Sequence, residues 1–121
     1  MKKIKLDTGL VTYEIGGGVL RFNPADPNVY SRFQQAMKQL ESLEASLSDD
    51  GETPLLEKMQ TLDRSVKALL NTAFGPGNDF DRICGGVSLF SRDHQGVSLM
   101  EKLMAALEPV LLDGARQCAK L

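Results

Sequence analysis

Between residues 55 and 73, Leu55, Met59, Leu62, Val66, Leu69 and Ala73 recur at spacings that alternate between four and three without a break, and Leu56 and Leu70 widen the stripe. That rhythm is the 3.6-residue period of an α-helix with one apolar face, and a strand, whose side chains alternate at every residue, cannot present it. Leu62 sits at the middle of the stripe and is predicted to anchor the core. Asp63 and Lys67 lie four apart in the favourable order, on what the period makes the opposite, wet face.

A second helical stripe precedes it, in Tyr30, Phe33, Met37, Leu40, Leu43 and Leu47. Asp26 is placed to cap its first turn, and Pro27 fits the first helical position, where a missing N–H costs nothing. Ser48-Asp49-Asp50-Gly51 ends it, and Thr53-Pro54 repeats the cap-then-proline device at the start of the next helix. Each helix spans roughly 30 Å at 1.5 Å per residue, and so short a polar linker predicts an antiparallel helical hairpin.

Ahead of Asp26 the period is two. Ile4 and Leu6 alternate with Lys3, Lys5 and Asp7, and Val11, Tyr13 and Ile15 alternate with Thr12 and Glu14. Gly16-Gly17-Gly18 interrupts and Val19-Leu20-Arg21-Phe22 resumes the extended pattern, which predicts two or three short antiparallel strands with a hairpin turn at the glycines. Asn23-Pro24 stops the sheet, since proline has no N–H for a ladder.

After Phe74-Gly75-Pro76, residues 80–84 suit one or two helical turns, Val87–Phe90 reads equally as a strand or a packed turn, and Ser91–Gly96 as a loop. Ser98 and Glu101 have capping-box spacing at the head of a last helix through Leu99, Leu103, Leu107 and Leu111 toward Cys118, which Pro109 is expected to kink or end. The fold class is α+β, mostly α: a β-hairpin or small antiparallel sheet over residues 1–23, then a three-helix body over residues 26–121, in a single domain.

The charges exclude some partners. Fourteen Lys and Arg stand against 16 Asp and Glu, a net charge of -2 with the signs interspersed, so nothing draws the chain to nucleic acid or an anionic membrane. The most apolar window, Leu99–Leu112, is broken by Glu101, Lys102 and Glu108, and the basic start lacks the apolar run of a signal peptide. Two cysteines far apart, Cys84 and Cys118, suit a reducing cytosol and free thiols.

Residues able to carry chemistry are few. His94, the one histidine, lies in a polar loop, and Cys84 follows Ile83 without a basic setting, so it reads as a small core residue rather than a nucleophile. Neither Gly16-Gly17-Gly18 nor Gly75-Pro76-Gly77 has a P-loop ending, and Asp49, Asp50 and Glu52 lack EF-hand spacing. Met37, Met59, Met100 and Met104 fall on apolar faces, where core filling accounts for them. The expectation is a protein that is no enzyme, with no cofactor, metal or small-molecule substrate.

The order of elements resembles a particular family. The hairpin leading into Phe22-Asn23-Pro24-Ala25-Asp26-Pro27 and the helix opening Val29-Tyr30-Ser31-Arg32-Phe33 are similar to small proteins encoded between the major tail protein and the tape measure in siphophages and prophages of Gram-positive bacteria. Phe74-Gly75, Phe80-Asp81-Arg82-Ile83-Cys84-Gly85-Gly86 and the leucine-rich last helix resemble the second half of those proteins, with Cys84-Gly85 where a second Phe-Gly is expected. The resemblance implies a cofactor-free tail assembly chaperone in the bacterial cytoplasm that self-associates, coats the tape-measure chain and is absent from the finished virion. The alternative is a small dimeric regulatory or antitoxin-like module. Surplus apolar surface and an open strand edge nominate Val11, Tyr13, Ile15, Leu56, Met59 and Leu70 as partner-binding residues.

Overall fold

The period change at Asp26 is where sheet gives way to helix in the computed structural model, which describes residues 1–120. Strands β1 (Val11–Ile15) and β2 (Gly18–Phe22) are followed by helices α1 (Pro27–Asp49), α2 (Leu55–Phe74), α3 (Phe80–Ile83) and α4 (Leu99–Cys118). This is an α+β, mostly α fold, with a two-stranded antiparallel sheet joined to the helices. Among the described residues no helix is long and apolar enough to cross a membrane.

The β-hairpin turns on the two-residue loop Gly16-Gly17, which sets Ile15 opposite Gly18, Tyr13 opposite Leu20 and Val11 opposite Phe22. Leu20 and Phe22 point inward and are fully buried, and the Phe22 ring meets Phe74 edge-on, with centroids 4.8 Å apart. The hairpin is thus part of the core rather than a separate arm. The third strand allowed for at Ile4–Leu6 does not form. Ile4 and Leu6 are 92% and 82% exposed, because Asn23 holds the Thr8 carbonyl and the Gly9 amide bonds Asp7, which turns the segment away from β1, while Asn78 occupies the β2 edge.

Asp26 caps α1 by accepting a hydrogen bond from the Asn28 amide at 2.9 Å, with Pro27 as the first helical residue. The second cap is different from the sequence expectation. Pro54 holds the N-cap position of α2 without a side-chain bond, because the Thr53 hydroxyl donates instead to the Asp50 carboxylate. Hydrogen bonds from Thr53 and from the Glu52 amide hold the Asp50 carboxyl below the usual carboxylate range. The hairpin is antiparallel: Arg32, early in α1, donates from Nε to the carbonyl of Ala73, late in α2.

Leu62, Val66, Leu70, Ala73 and Phe74 bury the inner half of α2, so Leu62 does sit in the core. Leu55 and Leu56, on the outer half, are 72% and 78% exposed. The face assigned to solvent is not wet either. Lys67 is 5% exposed because α3 and the turn over residues 87–90 pack across it, with Leu89 fully buried there. Val87–Phe90 is therefore a packed turn.

Helix α4 runs without interruption through Pro109. The proline cannot donate to the Ala105 carbonyl, but both residues are exposed, so water serves that oxygen and the helix is not broken. Ser98 caps it by accepting from the Glu101 amide, and the amides of Leu99 and Met100 donate to the carbonyls of Ser91 and Leu89. Asp93 organises the preceding loop through the Gln95 and Val97 amides, and Lys102, 2.6 Å away, draws its carboxyl down to about 2.

At its other end α4 crosses the Asn23–Pro27 corner so closely that only glycine fits. A Cβ at Gly114 would lie 1.8 Å from the Pro24 carbonyl oxygen and 2.8 Å from the Tyr30 hydroxyl. Gly114→Ala gains about 1 kcal/mol of helix propensity but forces this contact apart. The expected net outcome in urea denaturation is a loss of about 1–3 kcal/mol, and a more stable Gly114→Ala would show that the helix is not seated this way.

Candidate protein-docking groove

Clamped at both ends by backbone contacts, α4 leaves a trough between its flank and α1. Tyr30, Phe33 and Gln34 of α1 form one wall, and Met104, Leu107, Glu108, Leu111, Leu112 and Ala115 of α4 form the other, around about 480 Å³. The lining is apolar apart from Gln34 and Glu108. Leu107 is buried at the base, while Leu112 is 51% exposed. The Tyr30 hydroxyl is directed out of the trough, toward the Pro24 carbonyl at 2.7 Å and the Leu111 carbonyl. Burial, followed by the neighbouring Cys118, pushes its pKa above the ordinary tyrosine value, so it stays a neutral donor.

The chemistry this trough offers is contact area. Met104 can repack around differing shapes, and Tyr30 and Phe33 give stiff apolar surface. No acid–base pair faces into it among the described residues. A second, shallower cleft opens at the far tip of the helical hairpin, where Leu47, Leu55, Met59 and Leu62 meet beside Glu44 and Lys58. From residue 37 to residue 61 no side chain is fully buried, so the tip's seam of Met37, Leu40, Leu43 and Leu47 is only half covered.

The polar cluster around Lys67 is structural in form. Its ammonium lies 2.7 Å from Asp81 and 3.0 Å from Asp63 and donates to the Val87 carbonyl at 2.9 Å, while Asp63 also accepts from the Leu89 amide. All three ammonium protons are thereby engaged. Burial works against the charge, but Asp81 and Asp63 outweigh it, so the Lys67 pKa lies above the ordinary lysine value. The sign follows: the stabilisation that comes from this raised pKa is complete at neutral pH and is lost as pH rises through the raised value. Burial also raises the Cys84 thiol, whose surroundings include Lys67, Asp63 and Asp81. His94 is exposed in its loop.

The nominated partner residues fall in separate places. Tyr13 and Ile15 are half-buried on the core side of β1, with the Tyr13 ring 5.5 Å from Phe22, and Val11 is 40% exposed at the strand's start. Leu56 and Met59 belong to the hairpin tip, where Met59 lines the small cleft. Leu70 is corrected: it is fully buried and has no surface for a partner, because it packs within the core cluster that holds Val66, Ala73 and Phe74. The trough itself was not singled out. Its signal was present in Leu107, Leu111 and Leu112 together with Gly114, an interior helix glycine that marks a close approach. No family model, curated protein or solved structure matches the chain.

Two outcomes follow. Lys67→Ala removes the partner of the half-buried Asp63 carboxylate and is expected to cost about 1–3 kcal/mol in urea denaturation, whereas a loss within surface scatter would mean the cluster is solvated. Cys84 and Cys118 are free thiols. Unfolded, unreduced protein should therefore titrate two per chain, and native Cys84 should alkylate more slowly at neutral pH than an unhindered thiol peptide, as a raised pKa requires.

Proposed function

We propose that the chain works by holding other protein chains, as a phage or prophage tail assembly chaperone whose copies self-associate and which takes an apolar helical segment of a tape-measure chain into the trough between α1 and α4. The observation that carries the binding half is the trough: a preformed apolar channel walled by Tyr30, Phe33, Met104 and Leu111, on a molecule with net charge -2 and interspersed signs. The choice of partner rests on the resemblance of Phe22–Phe33 and Phe74–Gly86 to the tail proteins. In this role the groove does no chemistry. It shields apolar helix that would otherwise aggregate before the tail is built.

The test is co-expression with the neighbouring open reading frames, followed by pull-down. The expected result is a tape-measure chain kept soluble by the native protein. Leu112→Asp should leave unfolding within about 0.5 kcal/mol of the parent, as an exposed substitution does, yet lower the amount of captured chain at least about tenfold by placing a charge in an apolar wall. A neighbouring chain that stays insoluble, or capture indifferent to Leu112→Asp, counts against the reading.

A further inference from the structure

The two edges of the sheet are unlike. The outer edge of β2 is closed by a side chain: Asn78 accepts from the Arg21 amide at 2.8 Å and donates to the Arg21 carbonyl at 2.9 Å. Arg21 therefore turns its main-chain groups away from β1, so its pair with Thr12 is a non-hydrogen-bonded one, as the two-residue loop also requires. By the same alternation Thr12 and Glu14 turn their N–H and C=O groups outward from β1. Among the described residues nothing is bonded to them, and both side chains are exposed. An edge of this kind takes up a further strand.

The chain also carries a strand without a sheet. Ile4 and Leu6, alternating with Lys3, Lys5 and Asp7, are among the most exposed apolar side chains. Their own β1 is out of reach while the connection is fixed: Asn23 donates to the Thr8 carbonyl at 3.0 Å and the Gly9 amide to Asp7 at 2.8 Å, with Gly9 at φ +73°.

We propose that residues Lys3–Asp7 of one copy add to the free edge of β1 in a second copy as an antiparallel strand, with Lys5 across from Glu14. This register sets Ile4 beside Ile15 and Leu6 beside Tyr13 on the core side of the sheet, extending its apolar face. It sets Lys5 beside Glu14 on the outer side, where opposite charges attract. The outward groups of Thr12 and Glu14 then bond to Asp7 and Lys5. A second copy is the occupant because one chain holds both halves of the match: an edge of five residues and an arm of the same length, with complementary charge and pattern.

The proposal rests on the self-association half of the reading above and not on the tape measure. Light scattering and sedimentation of the full chain across a concentration series test it, with far-UV circular dichroism as a check on folding that Ile4 and Leu6, being exposed, should pass. The expected result is a self-associating parent, with dissociation constants raised at least about tenfold in Ile4→Asp/Leu6→Asp. Lys5→Glu and Glu14→Lys alone should each raise them about three- to tenfold, and the double variant should restore the parent value. An assembled parent unaffected by Ile4→Asp/Leu6→Asp overturns the strand addition and leaves self-association standing. A double variant no better than the single ones overturns the register. A parent monomeric at every concentration overturns the strand addition and self-association together, while tape-measure capture is judged separately by co-expression.

Discussion

The amide of Asn78 holds the molecule in its arrangement. It is 8% exposed and makes hydrogen bonds to the Arg21 amide and carbonyl on β2 and to the carbonyls of Phe74 and Gly75 at the end of α2. One side chain therefore acts as a third strand for β2 and as a cap for α2. Because these partners are buried or half-buried, losing the amide would leave several main-chain groups without water or protein to bond. With β2 fixed to the end of α2, Phe22, Phe74 and Phe80 come together as neighbours, with the Phe74 centroid 4.8 Å from that of Phe22 and 5.4 Å from that of Phe80. The same fixation determines which sheet edge is closed and which stays open.

Helix α4 depends on that frame at one remove. Its first amides bond to the 89–91 turn, which is positioned by Asp63 and Lys67 of α2, and its last turns rest on Pro24, just beyond β2. Between those two attachments the helix bridges rather than lies flush, with Leu103 and Leu107 inserted into the core and the flank toward α1 left open. A helix held by its ends and by a few inserted leucines leaves a trough as a matter of geometry. Filling it with larger side chains from within would require α1 to supply residues bulkier than Tyr30 and Phe33 at that level.

What sequence reasoning reached was whatever is local. The Asp26 and Ser98 caps, the glycine loop and the helical periods depend on residues a few positions apart, and all are found where their spacing placed them. It failed where tertiary contacts reassign a face. Lys67 obeys an i,i+4 pairing with Asp63 that normally marks a wet surface, yet Asp81, 14 residues on, draws it inside. Leu70 has the spacing of surplus apolar surface, because a period cannot say which side of a wide stripe the rest of the core covers. Thr53 had the chemistry of a cap, but Asp50 competed for its hydroxyl. Of the candidate site, the apolar residues of α1 and α4 were visible as stripes. That the stripes stop short of meeting was not, since this comes from the approach of Gly114 to Pro24, 90 residues earlier in the chain.

The open trough and the open strand edge lie in one region. Tyr13, on β1, lies against Phe22 with ring centroids 5.5 Å apart, and the hydroxyl of Tyr30, in the trough wall, reaches the carbonyl of Pro24, two residues beyond Phe22, at 2.7 Å. Asp113 precedes Gly114, the residue at which α4 is seated. A strand added beside Tyr13 and a helix laid over Tyr30 would thus bury adjoining surfaces around one attachment point of α4. Each would exclude water from the other's border, where apolar contacts and hydrogen bonds gain most from its removal. Two open surfaces thus meet near the seat of α4, and the proposed self-association and partner binding would draw on the same neighbourhood.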